Sequence, residues 1–393
     1  MKAGQAAVLP RQRDRGRGGE APGGAARALP SRVLMTADTV GGVWTYALDL
    51  AESLRPLGVQ TTLAVLGPAP QPDQRAAAEA VPGLRLLVTG LPLDWTADRP
   101  EAVLAAGEAV AGLARETAAE IVHLNSPALA AGARFGVPVV GACHSCLASW
   151  WAQVKGGELP ADFRWRTELL ARGYRSCDAL VAPTAAFARA AAELYGIARP
   201  QVAPNGRKDA AWPLPVKRER FVLTAGRLWD EGKNLAALDR AAAGIDFPVF
   251  AAGPLAGPLG QRIELEHAEP LGRLDASSLA AWMDRAPVFA SLALYEPFGL
   301  GVLEAAQAGC ALVLSDIPTF RELWEGAAVF VPPGDTDRAA AELERLLDDA
   351  DLSARLGALA RRRARRFTPR AMARSVAEVY RRALAARSTE AAA

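Results

Sequence analysis

Two glutamates eight positions apart, Glu296 and Glu304, bracket the segment Pro297-Phe298-Gly299-Leu300-Gly301. A loop that runs into glycines and then into the helix-favouring VLEAAQA predicts a helix starting near Leu300. Such a start presents unpaired N–H groups and the positive end of a dipole, the usual seat of a phosphate. Carboxylates on either side of it can reach different parts of one ligand. Arg227 and Lys233, six apart on a loop that leaves a predicted strand, can neutralise a diphosphate. His144 follows the apolar run VPVVGA, and Gly41-Gly42 follow the first predicted strand, where glycine lets backbone come close to a ligand. Each group alone has a plain structural reading: a helix-capping acid, solvated loop charges, a packed histidine. Their shared position at the carboxyl ends of strands, where α/β proteins bind ligands, favours function.

The elements that must position these residues are predicted strands alternating with helices. The apolar runs are Arg32–Ala37, Thr61–Leu66, Leu84–Val88, Ile121–Leu124, Val137–Ala142, Ala179–Ala182 and Gln201–Ala203. A second series runs from Phe221 through Phe247–Ala252, Ala286–Leu292, Cys310–Ser315 and Ala327–Val331. Such alternation predicts parallel doubly wound sheets. An amphipathic helix is expected from about Val43 to Leu57, continuous helix from Asp337 to Arg366, and a last helix over about Met372 to Ala385. Gly309 is the expected C-cap of the helix carrying Glu304.

EPFGLGVLE, Glu296 to Glu304, resembles the E-x7-E signature of retaining glycosyltransferases of family 4. The likeness covers about residues 32–386. It implies an α/β fold of the GT-B kind, two Rossmann-like doubly wound domains facing a central cleft. The expected divisions are a disordered basic arm (1–30), an N-terminal acceptor domain (31–210) completed by a C-terminal helix (371–387), and a C-terminal donor domain (217–369). The turn Val202-Ala-Pro-Asn-Gly206 would close the first domain, with the linker near Pro213 and Pro215. The resemblance implies a hexosyltransferase-type enzyme whose donor substrate is a nucleotide-diphosphate sugar, with no further cofactor and no metal. Arg227, Lys233 and the helix start at Leu300-Gly301 would hold the phosphates, and Gly41-Gly42 would approach them. Glu304 would hold the ribose hydroxyls, and Glu296 and His144 would orient the sugar. Phe298 and Gly299 fall within the substrate-binding stretch, and Arg273-Leu274 lie where the family holds the base. His123 is read as supporting the site or simply packed, and Trp150-Trp151 as stacking an acceptor ring or packing. The base, the sugar, the acceptor (carbohydrate, lipid-linked or small molecule), the oligomeric state and the route of attack stay open.

Composition agrees with a two-domain soluble enzyme: 393 residues, 51% apolar and 22% charged. No long apolar run predicts a membrane span, and four cysteines without a pairing pattern suggest a reducing, cytoplasmic setting. Cys143-His-Ser-Cys146 lacks a second cysteine pair, so it reads as a strand end rather than a zinc or redox site. No Asp-x-Asp outside the predicted helical tail suggests a metal. The arm from Met1 carries Lys2 and six arginines up to Arg32 against Asp14 and Glu20, without the aromatic interleaving of a nucleic-acid reader. Arg361-Arg-Arg-x-Arg-Arg366 reads as a solvated helix face, with peripheral contact to anionic lipid as the alternative. Three rivals share the motifs: a nucleotide-sugar 2-epimerase, a non-catalytic nucleotide-sugar binder and, more weakly, an inverting glycosidase. The dehydrogenase fingerprint G-x-G-x-x-G is absent after the first strand.

Overall fold

The computed structural model describes residues 29–209 and 217–390. The expected linker at Pro213 and Pro215, and all but the last two residues of the basic arm, lie outside the described residues. The first seven strands are β1 (Arg32–Ala37), β2 (Gln60–Val65), β3 (Arg85–Val88), β4 (Ile121–Leu124), β5 (Val139–Ala142), β6 (Ala179–Ala182) and β7 (Gln201–Val202). They form one parallel sheet in the order β3-β2-β1-β4-β5-β6-β7. The next six are β8 (Val222–Ala225), β9 (Val249–Ala252), β10 (Glu269–Gly272), β11 (Val288–Ser291), β12 (Ala311–Ser315) and β13 (Val329–Val331). They form a second parallel sheet in the order β10-β9-β8-β11-β12-β13. Helices cover both faces of such sheets, so the inner strands are buried along most of their length, and ALVLS of β12 is buried throughout. The fold is that of two Rossmann-like units.

In each sheet the strand order reverses once, between β1 and β4 and between β8 and β11. Loops leaving neighbouring strands part at such a point and open a crevice for ligands. The loop from Asp38 to Gly41 leaves β1 and Asn125 follows β4. In the second sheet Gly226-Arg227 follow β8, and the Glu296 loop follows β11.

Three elements differ from expectation. Glu269–Gly272 is a strand that the sequence conceals behind Pro270 and exposed positions; it lies at a sheet edge, where a residue without an N–H is tolerated. The expected continuous helix from Asp337 to Arg366 is two helices, Thr336–Asp348 and Ala350–Ala364. Asp349 breaks it, its carboxylate capping the second helix by accepting from Leu352 N at 2.8 Å. The last helix is longer than expected, Pro369–Glu390. Its Met372, Val376 and Tyr380 are buried in the core of the first sheet with Trp44 and Leu50 of the helix Gly42–Leu54.

The return of that last helix depends on Gly206. A Cβ there would stand 2.2 Å from the carbonyl carbon of Thr368 and 2.5 Å from Pro369 N, backbone atoms that cannot step aside. Gly206→Ala is expected to cost about 1–3 kcal/mol of stability, as overpacking does. Gly112→Ala, inside the helix Pro100–Glu116, where among the described residues a Cβ would meet an arginine tip 3.8 Å away, is expected to be neutral or to gain about 0.5–1 kcal/mol. Urea unfolding of both variants makes the comparison; equal effects would show that the Gly206 contact is relaxed in solution.

Candidate active site

The turn before Glu304 is built as its residue types require. Gly299 takes φ +88°, a left-handed conformation, and the helix Leu300–Ala308 starts from it and closes on Gly309 at φ +79°. Phe298 does not face the cleft: it is buried and packs edge-on against Phe367, centroids 5.7 Å apart. Its side chain anchors the loop and leaves its backbone to a ligand. The Glu296 carbonyl accepts from Thr319 Oγ1 at 2.6 Å, which fixes the loop from the other side.

The two sheets meet at these loops. A Cβ on Gly41 would lie 2.6 Å from Arg227 Nη1, and one on Gly42 would lie 3.0 Å from Leu300 Cδ1. The glycines of one half therefore pack against the cation and the helix start of the other. Lys233 Nζ pairs with Glu296 Oε2, and Arg227 Nη2 pairs with Asp230 Oδ2 at 2.8 Å. Asp230 also accepts from Trp150 Nε1 at 3.0 Å and Gly232 N at 2.9 Å. Burial pushes the Asp230 acid up, but Arg227, with help from Lys233 and Trp150, holds it below the usual carboxylate range. Trp150 is thus committed to a loop of the second half. Trp151 packs edge-on against Phe163, centroids 5.6 Å apart.

Glu304 is held by a residue that sequence reasoning missed. Arg207 Nε donates to Glu304 Oε1 at 2.6 Å, and its Nη1 donates to Asp49 Oδ2 at 2.7 Å. Burial raises the Asp49 acid, and Arg207 draws it back. The two carboxylates raise the Arg207 guanidinium despite the opposing effect of its burial. The available signal was an arginine directly after the Pro-Asn-Gly turn, but nothing local marks its two partners. Arg273 is paired with Asp73 Oδ2 at 3.0 Å in the first half, and both are about half exposed. Leu274 follows β10 at the carboxyl edge of the second sheet.

His144 lies at the end of β5 with its ring held from two sides. Asn125 Nδ2 donates to the Thr36 carbonyl at 2.6 Å, which turns Oδ1 toward His144 Nε2 at 2.7 Å. Nε2 therefore carries the hydrogen and Nδ1 keeps its lone pair. Tyr46 meets the ring edge-on, centroids 4.5 Å apart. Burial pushes the His144 ring down to about 4, so it is neutral at pH 7. His123 is packed instead: fully buried, between Tyr380 Oη at 2.9 Å and Tyr46 Oη at 3.4 Å, and pushed down to about 3, chiefly by burial. Cys143 and Cys146 are buried thiols; Cys146 Sγ accepts from Ser149 N at the head of the helix Leu147–Val154.

Two Rossmann-like sheets with their ligand edges in contact define the GT-B class. The model described as Glycosyltransferase Family 4 matches residues 40–209, and that described as Glycosyl transferases group 1 matches residues 209–363. The chain is a family 4-like glycosyltransferase, an enzyme of the hexosyltransferase type. A glycogen synthase of Mycobacterium tuberculosis (strain ATCC 25618 / H37Rv) is 28% identical over 316 residues, 73% of this chain and 75% of that protein. The sucrose-phosphate synthase of Thermosynechococcus elongatus superposes with a TM-score of 0.75 at 20% identity, covering 90% of this chain and 99% of the other. Anabaena Alr3699/HepE in complex with UDP-glucose gives a TM-score of 0.69 at 21% identity over 88% and 98% of the two chains. At these identities the two structures bear on the fold alone.

The neutral histidines predict a pH dependence. An unfolded histidine binds a proton near 6.5, whereas these bind theirs near 3 and 4, so folding expels protons and stability is lost as pH falls below about 6.5. The raised acids Asp38, Asp49 and Asp94 act in the opposite sense. His123→Gln isolates one histidine. Between pH 6 and 4 the variant is expected to lose stability less steeply than the wild type, by about 1.4 kcal/mol per pH unit. Urea midpoints at pH 6, 5 and 4 give the slopes, and parallel slopes would contradict a neutral buried His123.

Proposed function

We propose that the protein transfers a sugar from a nucleotide-diphosphate sugar to an acceptor hydroxyl with retention of anomeric configuration and without a metal. The observation that carries this reading is the junction of Gly41-Gly42 with Arg227 and the Leu300 helix start, three phosphate-binding devices on one point from two sheets. Arg227, Lys233 and the helix N-terminus hold the diphosphate and take up the charge that develops as the sugar C1–O bond breaks. Glu304 accepts from the ribose hydroxyls, and Glu296 lies beside the anomeric carbon. His144, with its Nδ1 free to accept, orients the sugar. Retention rests on the E-x7-E resemblance. A nucleotide-sugar donor is supported by the likeness to a fold seen with UDP-glucose, and hexosyl transfer by the glycogen synthase relative. Among the described residues no helix is long and apolar enough to cross a membrane. A cytoplasmic enzyme is part of the proposal, with the Arg361–Arg366 face open to anionic lipid.

Thermal-shift screening against uridine, guanosine and adenosine diphosphates identifies the base, since a ligand at 100 times its dissociation constant adds about 2.7 kcal/mol. With that nucleotide, Arg227→Ala and Lys233→Ala are each expected to weaken the diphosphate roughly ten- to hundred-fold, and the nucleoside far less, because a charged hydrogen bond contributes about 1.5–3 kcal/mol. Equal losses for both ligands would mean that the cations act on structure alone.

The two glutamates are expected to separate. Glu304→Gln should weaken nucleoside diphosphate and nucleotide sugar alike. Glu296→Gln should leave diphosphate affinity nearly untouched and lower the turnover number, since its carboxylate matters most when positive charge develops on the sugar. Calorimetry with the nucleoside diphosphate makes the first comparison before any acceptor is known. The inverse result would reverse the two assignments.

A further inference from the structure

Next to the proposed donor site a cavity of about 210 Å³ penetrates the carboxyl edge of the first sheet, with His144 and Arg227 among its lining residues. Asp38 from the β1 loop and Asp94 from the loop before the helix Pro100–Glu116 line it, with Trp95, Trp165 and Trp229 as further lining residues. Arg166 lies over Trp165, its guanidinium carbon 4.4 Å from the ring centroid. Arg166 commits its fork to the carbonyls of Asp162 at 2.7 Å and Ala97 at 2.6 Å, and Arg227 commits its Nη2 to Asp230 at 2.8 Å. The Nε of each is buried and finds no partner among the described residues.

The chemistry of this lining selects among acceptors. Two acids and two guanidiniums line it with His144 neutral, and Arg227 is already paired with Asp230, so the lining offers no excess of positive charge to attract an anion. An acyl chain would have to strip water from both acids, at a cost of several kcal/mol for each charge left unpaired. A neutral polyol meets neither objection. Its hydroxyls donate to the carboxylates and accept from the N–H groups, and the carbon face of a ring packs on indole. The volume lies below the ~300–1,000 Å³ of sites for drug-sized ligands and suits one ring.

We propose that this cavity takes the acceptor, which presents to it a neutral polyhydroxylated ring of single-sugar size, with Asp38 and Asp94 accepting its hydroxyls. The inference deepens the glycosyl-transfer reading and rests on it. Burial pushes both acids up, and the charge of Asp38 raises Asp94 further. A pair under that strain gains from hydroxyl donors that stabilise the ionised forms.

The test uses the full chain saturated with the nucleoside diphosphate that shifts its melting most. Glucose, mannose, galactose, fructose, myo-inositol and methyl α-glucoside are titrated by calorimetry, beside the 6-phosphates of the hexoses and vesicles of phosphatidylglycerol with phosphatidylcholine. At least one neutral probe is expected to bind saturably. Asp94→Asn and Trp165→Leu are each expected to weaken it ten-fold or more while diphosphate affinity stays within about two-fold of wild type, which also reports that each variant folds. The proposal is overturned if only phosphates or vesicles bind, if no neutral probe binds, or if neither variant weakens the sugar. A wild-type protein that bound no nucleoside diphosphate would instead sink the donor reading, so the two failures are distinguishable.

Discussion

The acids where the two sheets meet are held by cations, and this pairing governs what the cleft can do. Asp49 and Glu304 share Arg207, Glu296 has Lys233, and Asp230 has Arg227. Taking a carboxylate out of water costs several kcal/mol unless a partner and further hydrogen bonds meet it. The backbone supplies that geometry. Arg207 follows Gly206, whose lack of a side chain lets the chain lie against Thr368, and the Arg207 N–H donates to the Phe367 carbonyl at 3.2 Å. The arginine that spans both halves is thus placed by the same contact that returns the last helix to the first sheet.

Much of this was legible in the sequence where the information is local. Buried parallel strands read as apolar runs, so β1, β4 and β6 fall at the expected bounds. Gly299 and Gly309 announce the ends of the Glu304 helix because their backbone angles suit no other residue as well. What stayed hidden depends on partners far apart in the chain. Arg207 reaches Glu304 across 97 positions and Asp49 across 158. Asn125, which fixes the tautomer of His144, carries no mark of its own in IVHLNS, and neither does Asp94 in LPLDW. Phe298 divides its parts: it sits inside the motif, while its apolar ring belongs to the core.

The two histidines of the first sheet show how environment divides like residues between roles. Both are pushed well below the usual imidazole range by burial. His123 spends its nitrogens on two tyrosines, one of them on the last helix, and so works as a hydrogen-bonded rivet of the core. His144 spends one nitrogen on Asn125 and lines a cavity. A neutral ring with a lone pair suits an acceptor of hydroxyl hydrogens, whereas a cation there would compete with Arg227 for phosphate.

The cation partners also differ in what each would leave behind if a diphosphate drew it away. Asp230 would lose Arg227 but keep Trp150 Nε1 and Gly232 N, two donors that hold an ionised acid. Arg227 can therefore turn to a phosphate without orphaning its acid, and Trp150 keeps the first half attached to that loop throughout. Among the described residues Glu296 has no such reserve: beyond Lys233, its side chain accepts from Phe298 N at 3.4 Å, a long bond. Drawing Lys233 toward phosphate would leave a carboxylate with little compensation next to the place where, in the proposed reaction, the sugar becomes positive. The donor's own charge would then expose the acid that its breakdown requires, and the order of events, diphosphate first and sugar stabilisation second, would follow from the hydrogen bonds each acid retains.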